Sequence, residues 1–241
     1  MTAIPVSVIT GFLGSGKTTL LSRLLRHPAM GRTAVIINEF GEIGLDHDLI
    51  EASDENIVTL TTGCLCCTVR GDLVLTLGDL LQRRDRGAVP PFERVVVETT
   101  GLADPAPILQ ALMSDTSLAG RYAIDSVVAT VDAVNGLSTL DRQIESVKQA
   151  AMADRLVLTK VDLVKDGTEA LASRLMALNP RAPRIESVMG AIEPDQLFSA
   201  GRYDPATKIS AVAAWLASEA EYHDHAHAHG ARPDVNRHGD H

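Results

Sequence analysis

Aromatic residues, cysteines and excess basic charge are all scarce in this chain, and each scarcity excludes something. Phe, Tyr and Trp make up 3% of the 241 residues, with a single tryptophan, so the core is built from Ala, Val, Leu and Ile, which the 45% hydrophobic content supplies. Lys and Arg number 22 against 31 Asp and Glu, a formal net charge of −9. That balance speaks against binding nucleic acid or an anionic membrane, where affinity comes from displacing phosphate counterions. No apolar run approaches the roughly 18 residues of a membrane span, and Met1-Thr2-Ala3-Ile4-Pro5 has no basic stretch ahead of an apolar one. The chain is therefore expected to be cytoplasmic. Its three cysteines, Cys64, Cys66 and Cys67, lie within four positions, which is no disulfide framework and reads as a metal or redox cluster in a reducing compartment.

What is present is alternation. Val/Ile-rich runs at Val6 to Ile9, Thr33 to Asn38, Ile57 to Leu60, Arg94 to Glu98, Ser126 to Val131, Leu156 to Thr159 and Arg184 to Ser187 read as strands. Apolar residues at three- and four-residue spacing predict helices over Lys17 to Leu25, Asp72 to Arg83, Pro105 to Met113, Gln143 to Met152, Glu169 to Leu178 and Lys208 to about Glu221. This pattern predicts an α/β fold, a mostly parallel sheet with helices on both faces. After Glu221 the composition turns to His, Asp, Gly and Arg, so the expected division is a domain over 1–221 and a disordered His-rich tail over 222–241.

The first strand runs into Gly11-Phe12-Leu13-Gly14-Ser15-Gly16-Lys17-Thr18, the pattern G-x-x-x-x-G-K-[ST] in its strand-to-helix setting. Small residues let successive backbone N–H groups turn toward phosphate oxygens, Lys17 neutralises the β/γ charge, and the Thr18 hydroxyl can ligate Mg²⁺. A P-loop NTPase fold follows. Val95-Val96-Val97-Glu98 ends an apolar strand on a carboxylate and continues into Thr99-Thr100-Gly101. At the C-terminal end of a parallel strand, Glu98 would face the nucleotide and hold Mg²⁺ through water, with Gly101 leaving room for a γ-phosphate. Leu156-Val157-Leu158-Thr159-Lys160-Val161-Asp162 suggests the base. Asp162 can accept from both guanine donors, which adenine lacks, and Lys160 would lie over the base plane; Thr159 stands where Asn is usual, and a plain surface turn is the alternative.

Gly63-Cys64-Leu65-Cys66-Cys67 lies between a strand and a helix, and thiolates there suit Zn²⁺, Cu⁺ or Co²⁺ but do not complete a tetrahedron. The acidic stretch Asn38 to Asp48 can supply the missing ligands, Glu39 and Glu42 first, and can order around a γ-phosphate as switch segments do; a merely solvated loop is the alternative. His223, His225, His227, His229, His238 and His241, six of the eight histidines, crowd the end of the chain and can gather metal loosely. An expression tag is the bland reading of that tract.

Taken in order, GFLGSGKTT, NEFGEIGLD, TTGCLCCTVRGD, ETTGLADP and LTKVD resemble the CobW-type family of P-loop GTPases that act as metal chaperones, across residues 4 to 216. The resemblance implies Gly14 to Thr19 for phosphates, Thr18 for Mg²⁺, Lys160 and Asp162 for guanine, Thr159 as a tolerated variant, and Cys64, Cys66 and Cys67 for the transferred metal. It implies slow GTP hydrolysis, with Lys17 and Glu98 in the catalytic machinery, and a client metalloprotein as partner. Zinc is the default metal by affinity order and cobalt the rival. Relatives usually continue past a His-rich linker into a smaller C-terminal domain, and this sequence stops at His241 within the corresponding stretch. Two other functions fit part of the pattern. A metal buffer would use nucleotide as a structural ligand without turnover, and a small-molecule kinase would use the phosphate loop but leave the cysteines without a purpose.

Overall fold

The computed structural model describes residues 3–37, 58–61, 69–165, 167–199 and 201–228. Among the described residues seven strands form one sheet: β1 (Ile4–Gly11), β2 (Thr33–Ile37), β3 (Val58–Thr61), β4 (Arg94–Glu98), β5 (Tyr122–Asp132), β6 (Arg155–Thr159) and β7 (Arg184–Ser187). Their order is β3-β2-β4-β1-β5-β6-β7, and every neighbouring pair is parallel. Strands buried on both faces need continuous apolar runs rather than alternation. Accordingly all five residues of β2 and the last six of β1 are buried.

The α-helices among the described residues are α1 (Lys17–Leu25), α2 (Val69–Asp85), α3 (Ala106–Ser114), α4 (Gly136–Arg142), α5 (Ile144–Met152), α6 (Glu169–Leu178), α7 (Pro194–Leu197) and α8 (Ser210–Ala228). Alternate strand residues serve opposite faces. Val6, Val8, Val95 and Val97 pack with Leu77 and Leu80 of α2, Leu109 of α3 and Leu216 of α8. Ile9, Val35 and Val96 pack with Leu20, Leu21 and Leu24 of α1 on the other side. The sheet is thus sandwiched, as the sequence pattern required.

Each expected strand is found, although Asn38 and Ile57 lie outside the described residues. Two differences have physical causes. β5 begins at Tyr122, four residues before Ser126, because Tyr122 and Ile124 turn into the core while Ala123 and Asp125 stay partly exposed. The early half therefore alternates instead of running apolar. The last helix continues to Ala228, past the expected end at Glu221 and into the stretch assigned to a disordered tail; Ala and Glu favour helix, and neither Gly nor Pro interrupts the chain before Gly230. Residues 229–241 are outside the described set.

The side of the sheet to which strands are added switches at β1. From there the chain moves out to β2 and β3, returns to β4 beside β1, then crosses to β5 on the opposite side. Such a switch point opens a crevice at the C-terminal ends of the strands, where open α/β sheets bind ligands.

Candidate nucleotide site

β1 ends at Gly11, whose φ of +143° suits glycine alone. A Cβ there would sit 2.3 Å from Thr130 Oγ1 and 2.5 Å from Thr130 O, so the loop can leave the sheet only without a side chain. Ser15 Oγ lies 2.6 Å from Thr130 Oγ1, and Thr159 Oγ1 donates to Ser15 O at 2.7 Å. The hydroxyls of β5 and β6 therefore brace the loop, and Thr159 is engaged in that brace. Lys17 is 6% exposed and its ammonium donates to Gly11 O at 2.9 Å and Phe12 O at 3.3 Å, holding a cation under the loop. α1 starts there with no side-chain cap and no acid in its first turn, so its N-terminal N–H groups remain suited to an anion.

Register carries β4 beside the loop, with Glu98 opposite Ile9. Thr18 Oγ1 donates to Glu98 Oε1 at 3.0 Å, and Glu98 is buried. A hydroxyl and a carboxylate meeting at the base of a phosphate loop form a hard-oxygen donor set that fits Mg²⁺. Thr99 Oγ1 donates to Thr10 Oγ1 at 2.9 Å and fixes the strand end. Gly101 lies directly against the phosphate loop. A Cβ on it would stand 2.7 Å from Leu13 N and 2.8 Å from Leu13 Cα, so the missing side chain accommodates Leu13 rather than leaving open space.

Beyond the loop a cavity of about 300 Å³ is lined by Phe12, Ser15, Thr130, Asp132, Asn135 and Lys160, among others. Asp132 ends β5 as Glu98 ends β4. It accepts from Lys160 Nζ at 2.8 Å, Asn135 Nδ2 at 3.1 Å and Val134 N at 2.8 Å. Burial alone would raise its pKa, but the bonds from Lys160, Asn135 and Val134 outweigh that and hold the carboxyl below its ordinary value. Lys160 has φ +58°, which turns the chain sharply after β6 and sets its stem along the cavity. Asp162, in the short 3-10 turn Val161–Leu163, is exposed.

Lys17, Thr18, Glu98, Gly101, Thr159 and Lys160 thus gather at one end of the sheet. Sequence reasoning missed Asp132 and Asn135, though an apolar strand ending on a carboxylate was the signal already used for Glu98. Cys64, Cys66, Cys67, Glu39 and Glu42 lie outside the described residues, and among the described residues no three His, Cys, Asp or Glu come together as a metal site.

Residues 5–186 match the family model of the CobW/HypB/UreG nucleotide-binding domain. The chain belongs to that family. The family domain covers the sheet from β1 into β7, while α7 and α8 lie beyond the matched stretch. Escherichia coli zinc chaperone YjiA is 42% identical over 199 residues, covering 83% of this chain and 62% of YjiA. Zinc chaperone CobW from a Sinorhizobium species is 32% identical over 229 residues, covering 82% of this chain and 63% of that protein. The crystal structure of Zn(II)-bound YjiA GTPase superposes with a TM-score of 0.67 at 34% identity, over 85% of this chain and 64% of that one. This chain therefore spans somewhat less than two thirds of the length of these relatives.

Proposed function

We propose that this CobW-family chain is a GTP-binding and hydrolysing metallochaperone domain. It takes up a divalent transition metal, zinc first and cobalt next, and passes it to a client metalloprotein under control of the nucleotide. The observation that carries the reading is the meeting of Lys17, Thr18 and Glu98 beneath a phosphate loop that opens on a cavity flanked by Lys160. The names of YjiA and CobW, both zinc chaperones, support the metal.

In this reading the loop's N–H groups and the N-terminus of α1 receive the β- and γ-phosphates, and Lys17 offsets their charge. Thr18 and Glu98 would hold Mg²⁺, which when bound neutralises charge between the phosphates. The Lys160 stem covers the base and Asp162 accepts from guanine. The transferred metal is cargo, held by Cys64, Cys66 and Cys67 with Glu39 and Glu42. Hydrolysis is slow and acts to reset metal affinity.

Lys17→Ala tests the reading. Loss of a charged donor costs about 1.5–3 kcal/mol, roughly 10- to 150-fold in affinity, so GTP binding measured by calorimetry should weaken by that range and phosphate release should fall with it. A variant that binds GTP within about twofold of wild type removes the phosphate-loop assignment. Wild type that binds GTP without releasing phosphate leaves a metal buffer in which nucleotide is only structural.

A further inference from the structure

The turn Gly101–Asp104, which follows Glu98 and abuts Leu13, is also held by α5. Gln149 is buried and its Nε2 donates to Gly101 O at 3.2 Å and Ala103 O at 3.0 Å. The next side chain toward the N-terminus, Lys148, forms an ion pair with Asp104 Oδ2. Asp104 is anchored in turn by Oδ1, which accepts from Ala106 N at 2.9 Å at the start of α3. The same Lys148 ammonium stands 5.6 Å from the centroid of the Trp215 ring on α8. One cation therefore touches both the turn beside the phosphate loop and the helix beyond the family domain.

We propose that Lys148 is a positioning residue that links the Gly101–Asp104 turn to α8, so that the state of the phosphate site is transmitted to Trp215. The proposal rests on the reading of that site as a nucleotide site. Three features carry it. Gly101 has no clearance from Leu13, so a phosphate loop that adjusts to nucleotide pushes the turn. Lys148 and Asp104 are 21% and 27% exposed, a partly desolvated pair that resists separation more than a surface pair does, so a moving turn carries the ammonium with it. Gln149 Oε1 is buried and has no hydrogen-bond partner among the described residues. An orphaned acceptor is unfavourable, and a shifted turn could bring it a peptide N–H, which gives the turn a second resting place.

A cation over an aromatic face is held by the ring's quadrupole, and moving it changes the field on the indole. Trp215 is the sole tryptophan of the chain, so intrinsic fluorescence reads α8 directly. The experiment records Trp215 emission of the full chain with Mg²⁺ and either GDP or a non-hydrolysable GTP analogue, with calorimetry on the same samples. Wild type should give different emission maxima in the two nucleotide states. Lys148→Met and Asp104→Asn should bind both nucleotides within about fivefold of wild type, since neither residue lines the cavity beside the phosphate loop, yet give one common emission. Lys148→Arg, which keeps charge and reach, should retain the difference, and far-UV circular dichroism confirms that all three fold. Two results overturn the proposal: wild type that binds both nucleotides with identical emission, or a difference that persists in Lys148→Met and Asp104→Asn. A wild type that binds neither nucleotide overturns the site reading, and the link with it.

Discussion

Asp132 and Lys160 show how single side chains set this site. Their bond spans the cavity wall, and the folded pKa of Asp132 lies below its ordinary 3.8. A lowered carboxyl stabilises the fold fully above the ordinary value and loses that contribution as pH falls through the folded value. Asp132→Asn should therefore lower the free energy of urea unfolding at neutral pH, by no more than about 1 kcal/mol because Lys160 is 38% exposed. The gap between variant and wild type should narrow as pH falls below 3.8 and close once the folded carboxyl is itself protonated. A gap that persists in acid would mean that packing rather than charge is responsible. Asp162 is a different case: it is exposed, and its role in selecting the base belongs to the proposed reading. Asp162→Asn cannot accept both guanine donors, so the GTP-over-ATP preference in competition binding should drop about tenfold or more. An unchanged preference would place base recognition elsewhere, such as the turn after β7, whose Ser187 is in register with Thr159.

Between elements, two glycines make opposite predictions. A Cβ on Gly101 meets backbone atoms of Leu13, which cannot rotate aside, so Gly101→Ala should destabilise by about 1–3 kcal/mol and weaken GTP binding through the displaced loop. Gly78, within α2, has nothing within 4 Å of its would-be Cβ. Gly78→Ala should stabilise by about 0.5–1 kcal/mol, and thermal melts of the two variants check both signs. The sequence showed these elements unevenly. The strands were legible because a sheet covered on both faces demands unbroken Val/Ile runs, and the phosphate loop because its residues are contiguous. α4 was not legible: it begins at a glycine and buries only Gly136 and Leu140, too little for a helical period to stand out. Strand order was hidden as well, since nothing local says that β4 returns between β2 and β1. Lys148 meeting Asp104 and Trp215 depends on that order and could not be read from spacing.

The chain as a whole is expected to couple two ligands. In the sequence the cysteines follow β3 and the acidic stretch follows β2, and these two strands lie on the same flank of β1 as β4. Parallel strands bring their C-terminal ends to one side, so β2 and β3, the strands that precede the two segments in the sequence, end on the side where Glu98 stands. If a γ-phosphate orders them, GTP lowers the entropy cost of closing Cys64, Cys66 and Cys67 around a metal, whereas GDP does not. Zinc should then bind about 5- to 150-fold more tightly with a non-hydrolysable GTP analogue than with GDP, the usual range of such linkage. Reciprocity requires zinc to tighten the analogue, relative to GDP, by the same factor. Cys66→Ala should remove most of the coupling and leave metal-free nucleotide binding nearly unchanged, because in the proposed reading that thiolate engages only the metal. Calorimetric zinc titrations of wild type and variant in both nucleotide states decide it. Equal zinc affinity with the analogue and with GDP in the wild type refutes nucleotide-controlled delivery, and the chain would then hold metal without a means of releasing it on hydrolysis.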